Sequence, residues 1–268
     1  GAEMLWFIIP NKETSATALF EAITLDDTPV FLECEFLDGD YIKDLQRLQQ
    51  KYNLKLGVDI IGQLVKDGNW FVNKDKDHAI LEHTIAPNIL SVNASLYQQA
   101  GATIPQELAY TLAHINEYLN HFQDESTLNF TVKASIGSNY FFEIAKLRAL
   151  RLLHKTLAVE YNNTQELHII AQPTTRNKTI YDYNVNMLRT TTECMSAVLG
   201  GANAVSNRPY DVLFHKNNEF GDRISRNQVL VMKHESYFDL VENASDGSYY
   251  IESLTKQFAD KALDIFKQ

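Results

Sequence analysis

His114, Glu117 and His121 stand three and four residues apart, so on a helix they share one face. Two imidazoles and a carboxylate are zinc ligands, but a structural zinc site needs four ligands, and a catalytic one needs three plus an open position. Nothing supplies the remaining position, so the expectation is the wet side of an amphipathic helix and no metal site. Cys34 and Cys194 lie far apart with no motif spacing between them. They read as reduced thiols.

The elements that position such residues alternate along the chain. Short apolar runs predict strands at Met4–Ile9, Val30–Phe36, Leu54–Ile60, Ile89–Val92, Leu128–Ala134, Leu167–Ala171 and Ala202–Ser206. Helical spacing fills the intervals. Ile104–Phe122 sets Leu108, Leu112, Ile115 and Leu119 along one stripe. Asn139–Val159 sets Phe141, Ile144, Ala145, Arg148 and Leu152 in register, with Lys146, Arg151 and Lys155 expected at the solvent side. Gly200-Gly201 marks a helix C-terminus, where glycine takes the left-handed conformation without a Cβ penalty, and Pro209 falls in a loop. Apolar strands separated by helices predict a parallel sheet of βα units. The strand count is seven, where a (β/α)8 barrel closes with eight.

Composition sets the outer bounds. At 268 residues the chain is long enough to bury a core without disulfides or metals. A net charge of −10 argues against a nucleic-acid partner, which requires a basic face. No run approaches the roughly 18 apolar residues of a membrane span. The N-terminus shows no basic region followed by an apolar core, so the expected location is cytoplasmic, with no membrane partner.

The segment Val92-Asn93-Ala94-Ser95-Leu96-Tyr97-Gln98-Gln99-Ala100-Gly101-Ala102 resembles a stretch of the methylmalonyl-CoA mutase family that reads ISGYHMQEAGA. Four further blocks follow in the family's order, the second of them in two pieces, His168–Gln172 and Tyr181–Thr190. Ile136–Ala149 is similar to IGMNFFMEVAKLRA, and His168–Gln172 to THSQTSG. Tyr181–Thr190 is similar to DVYNNVVRT, and Arg223–Asn227 to RIARN. Asp246–Glu252 is similar to the GSxYxE end of the barrel. The resemblance covers roughly the last two-thirds of the chain. It implies a TIM-type (β/α)8 barrel over residues 1–268, incomplete at its N-terminus, with seven of eight strands present. Family barrels open with a strand carrying a motif like RQYAGF, which has no counterpart here. Gly1-Ala2-Glu3 resembles the tail of the first barrel helix, which implies a fragment beginning inside the barrel.

The resemblance also assigns site positions. The family's active-site histidine falls on Leu96, which can neither donate a hydrogen bond nor hold a proton. An arginine that grips coenzyme A falls on Asn129, which lacks the charge and the forked donors. Gln172 matches an active-site position, and Arg223, Arg226 and Asn227 match RIARN. Gln172, Arg223 and Arg226 are candidate substrate-binding positions, and structural roles are favoured for all four residues. The bulky run Met4–Ile9 implies a filled axis without a substrate channel. No Asp-x-His occurs, so the family's DxHxxG cobalamin motif is missing. The chain is then expected to bind no cofactor itself, adenosylcobalamin being held by a partner.

This pattern is similar to the small, non-catalytic subunit of the family's heterodimeric mutases. The implied function is support of a catalytic large subunit that interconverts (R)-methylmalonyl-CoA and succinyl-CoA. Two other readings stay open. A divergent catalytic acyl-CoA mutase barrel would show a replacement thioester donor and an open axial channel. A non-enzymatic acyl-CoA-binding scaffold would show a basic phosphate pocket at the C-terminal strand ends.

Overall fold

A computed structural model describes residues 2–25, 27–122, 127–216 and 218–268, so Gly1 lies outside the described residues. The first half alternates β1 (Leu5–Ile9), α1 (Ala16–Glu21), β2 (Val30–Cys34), α2 (Gly39–Gln49) and β3 (Leu54–Gly57). Two helices follow, α3 (Ile60–Asp67) and α4 (Lys74–Glu82), then β4 (Ser91–Asn93). Next come α5 (Ser95–Gln99), α6 (Ile104–His121), β5 (Thr131–Ile136), α7 (Tyr140–Glu160) and β6 (His168–Pro173). The chain ends with α8 (Val185–Leu199), β7 (Ala204–Val205), α9 (Glu219–His234) and α10 (Tyr249–Phe266). Each expected strand is present.

All strand pairs are parallel, in the orders β1-β2-β3 and β4-β5-β6-β7, and the Val58–Leu90 bridge joins the two runs. Among the described residues the result is a partial TIM-type barrel of seven consecutive strands. Its end strands, β1 and β7, each pair with one neighbour only among the described residues. Near that seam, Lys233 of α9 is ion-paired with Glu3, just ahead of β1.

Alternate strand residues face the helices and make the main core. Leu32, Leu56, Val92, Val132 and Ile169 are buried there against Leu45, Leu81, Leu112, Ile115, Leu147 and Leu150. Each such leucine or isoleucine contributes about 1.5–3 kcal/mol of burial. The helices begin where the sequence offers an acceptor. Asp38 caps α2 through the N–H groups of Asp40 and Tyr41, and Asn73 caps α4 through Lys76 N–H. At α6, Gln106 reaches back to accept the Thr103 N–H at 3.0 Å, and Pro105 occupies the first turn. Gly201, at φ 80°, supplies the left-handed residue after α8, as expected.

Two sequence expectations about faces fail. Lys146 is 1% exposed rather than at the solvent side, because two buried carboxylates and a carbonyl surround its ammonium. Phe141 and Leu152 are half-exposed, and the buried face of α7 runs instead through Ile144, Leu147, Leu150, Leu153 and Leu157. Arg151 is also drawn inward, donating to the carbonyls of Leu167 and Gly201 and to Asn203.

Candidate functional site

The other set of strand residues faces the barrel axis, and much of it is polar. Lys133 of β5 is ion-paired with Glu33 of β2, and its ammonium lies 5.5 Å from the Trp6 ring of β1. Trp6 packs edge-on against Phe31 at 5.6 Å, and Phe31 in turn abuts Gly57, where a Cβ would lie 2.7 Å from its ring. Two aromatic rings and an ion pair thus meet on this face of the sheet.

Asn129 stands at the N-terminal mouth, two residues before β5. Its side-chain Oδ1 accepts the Asn88 N–H at 2.5 Å, and its Nδ2 donates to Asn88 Oδ1 at 2.7 Å. Lys55 donates to the same Asn88 oxygen at 2.9 Å. Nearby His168 is held neutral, its pKa pushed down to about 4 by burial and by the charges of Lys55 and Arg151.

At the opposite end, Leu96 is half-buried on the short α5, three residues past the end of β4. A dense polar network is built around Asp59 at the same end. Asp59, at the end of β3, caps α3 through Gly62 N–H (2.7 Å) and accepts Asn93 N–H from β4 (2.9 Å). Its Oδ1 also accepts the Tyr118 hydroxyl at 2.9 Å and meets His114 Nε2 at 2.9 Å. The other His114 nitrogen contacts the Tyr97 hydroxyl at 3.1 Å. Burial would raise the Asp59 pKa, but pairing with His114 and the two backbone N–H groups hold it below the usual range. Burial and the Asp59 charge push the Tyr97 phenol well above its ordinary value, so that hydroxyl stays protonated.

These contacts overturn the wet-face reading of α6. His114 is 3% exposed and belongs to the Asp59 network. His121 instead pairs with Glu82 at 2.9 Å and packs on the His78 ring, while Glu117 is exposed. No group of three metal-ligating side chains occurs among the described residues.

Gln172 lies near the end of β6 and donates to the Ser206 hydroxyl at 3.3 Å. Arg223, Arg226 and Asn227 are exposed on α9, and the Arg223 guanidinium sits 5.5 Å from the Phe220 ring. No hydrogen bond brings Gln172 together with the arginines among the described residues. A second buried cluster escaped the sequence reading. Lys146 holds Glu143 at 2.6 Å and Glu107 at 3.2 Å and donates to the Ser135 carbonyl at 2.5 Å. Burial, opposed by Lys146 and reinforced by Glu143, pushes the Glu107 pKa up to about 7. The one local hint was Asp59-Ile-Ile-Gly62, a cap pattern opening an apolar helix.

The profile of the methylmalonyl-CoA mutase family matches residues 55–268, most of the described barrel. The chain belongs to the methylmalonyl-CoA mutase family. A methylmalonyl-CoA mutase small subunit of Porphyromonas gingivalis is 41% identical over 66% of this chain and 31% of that protein. A small subunit of Streptomyces virginiae is 30% identical over the whole chain and 47% of its own length. The large subunit from Streptomyces virginiae is 34% identical over 65% of this chain and 25% of its length. The chain therefore spans less than half the length of each of these mutase relatives. Among its described residues no helix is long and apolar enough to cross a membrane.

Proposed function

We propose that this chain is the barrel of a non-catalytic small subunit, which assembles with and stabilises a catalytic large subunit. The pair would interconvert (R)-methylmalonyl-CoA and succinyl-CoA with adenosylcobalamin, in the cytoplasm. The observation that carries this reading is Leu96. By the resemblance it stands where the family's histidine falls. His114, the buried imidazole of the adjacent network, has one nitrogen on Asp59 and the other on Tyr97. The residues present do not fit a site for the cobalamin-dependent rearrangement, which needs a donor aimed at the substrate thioester. The axis filled by Trp6, Phe31 and the Lys133–Glu33 pair further supports a barrel that threads no pantetheine chain.

The test is co-purification of the full-length protein with the cobalamin-binding subunit from the same genome, followed by mutase assays on each alone and on the pair. Turnover only in the pair, unchanged by Gln172→Ala, is the expected result. Cobalamin-dependent turnover by this protein alone would overturn the reading.

A further inference from the structure

A cleft of about 390 Å3 opens in the helical layer between α2 and α4, within the ~300–1,000 Å3 range of small-molecule sites. Its α4 wall is Lys76, Ala79, Ile80 and His83, whose spacing of three and four puts them on one helix face. Val72, just ahead of that helix, also lines it, and its N–H is held by the buried Asp77 carboxylate at 3.1 Å. The α2 wall is Gly39, Asp40 and Lys43. Gly39 leaves the gap between the helices unfilled, since a Cβ there would lie 3.6 Å from Ile80 Cγ2 and 3.9 Å from Thr84 Cγ2. The Thr84 hydroxyl donates to the Ile80 carbonyl at 2.8 Å, so the cleft meets its methyl group. The floor is therefore hydrocarbon.

The rim has the opposite character. Lys43, Lys76 and His83 line the cleft, and Asp40 is the one acid beside them. On a chain of net charge −10 this is a local reversal of sign. The neighbouring acids are committed elsewhere. Asp38 caps α2 and meets Lys12, Asp44 pairs with Arg47, and Asp77 accepts the Phe71 and Val72 N–H groups. Neither Lys43 nor Lys76 is ion-paired among the described residues. A lysine lays its methylene stem along apolar surface and keeps its ammonium at the edge. A hydrocarbon floor edged by unpaired ammonium groups matches a ligand with an alkyl tail and an anionic head. From Lys76 to His83 the helix rises about 10 Å, which suits a tail of medium length.

We propose that this cleft binds a medium-chain fatty carboxylate, its tail on Gly39, Ala79, Ile80 and the Thr84 methyl and its head at Lys43 and Lys76. The site stands apart from the barrel axis and is independent of the subunit reading. The test follows the Val72 and Ile80 methyl resonances of 13C-methyl-labelled full-length protein during titration with octanoate at constant ionic strength. A saturable shift is expected. Butyrate, four methylenes shorter, should bind about tenfold or more weakly, although an open cleft buries only part of the tail. Lys43→Glu combined with Lys76→Glu should weaken octanoate about fivefold or more and leave the binding of neutral 1-octanol unchanged. Gly39→Leu fills the floor and should abolish both. If it lowers the melting temperature, Ala79→Leu on the exposed face of α4 replaces it. Octanol bound as tightly as octanoate, or a charge reversal without effect, overturns the carboxylate head. Butyrate bound as tightly as octanoate overturns the tail. A shift that never saturates, or one equally strong at distant methyl groups, overturns the site. Resonances silent to octanoate that move on adding the large subunit also overturn it, because the occupant is then a protein side chain.

Discussion

Asp59 is the residue whose loss should be felt most widely, because one carboxylate joins β3, α3, β4 and α6. Asp59→Ala removes the α3 cap, worth about 0.5–2 kcal/mol. It leaves the Tyr118 hydroxyl, whose side chain is 1% exposed, without its acceptor, at about 1–3 kcal/mol. It also leaves the buried His114 nitrogen without its partner, at about 1–3 kcal/mol again. These contributions share one network and do not add, so the expected total is about 3–5 kcal/mol rather than their sum. Asp59→Asn keeps one acceptor oxygen for the cap and should cost roughly half as much. Urea unfolding followed by circular dichroism gives both values, compared at constant slope. The pH sign follows from the lowered Asp59 pKa. Its contribution is complete above the unfolded aspartate pKa, about 3.9, and fades as pH falls through the folded value. The wild type should therefore lose stability on acidification in a way that Asp59→Asn does not. A loss below about 1 kcal/mol in Asp59→Ala, or equal costs for alanine and asparagine, would refute the view that this carboxylate organises the C-terminal mouth.

Three further outcomes are expected. Glu107 has a raised folded pKa of about 7, so its contribution diminishes as pH rises from the unfolded glutamate value through 7, and Glu107→Gln should flatten that part of a melting-temperature profile. Lys133→Met strands Glu33 at the axis and should cost about 3 kcal/mol, whereas Lys133→Met with Glu33→Leu should recover most of it in denaturant titrations. Leu96→His in the assembled complex should leave turnover unchanged, since restoring one imidazole does not open the axis held by Trp6 and Phe31. A rise in mutase activity would show that the axis admits substrate.

The seven strands were legible because each is a short apolar run bounded by helical periodicity, although edges such as Leu128 against Thr131 shifted by a few residues. The cap of α8 was legible for a local reason, a glycine pair. What stayed hidden was polar burial. Lys146, His114 and Lys133 carry charge or a titratable ring, and periodicity assigns such residues to water. Their partners Glu107, Asp59 and Glu33 lie 39, 55 and 100 residues away. Only the closed fold brings such groups within hydrogen-bond reach. A barrel also has two interiors, so the strand face opposite the helices is not a surface, and simple alternation misreads it.

The unmatched end strands bear on how the chain behaves at high concentration. Among the described residues β1 and the two-residue β7 each pair on one side only, and Ile8 of β1 is 56% exposed. Handled as an isolated polypeptide, it would tend to zip edge to edge into oligomers. Light scattering should then grow with protein concentration and subside when a strand-forming peptide fills the seam. Expression yield, shelf life and crystallisability would follow from that seam more than from the depth of the core.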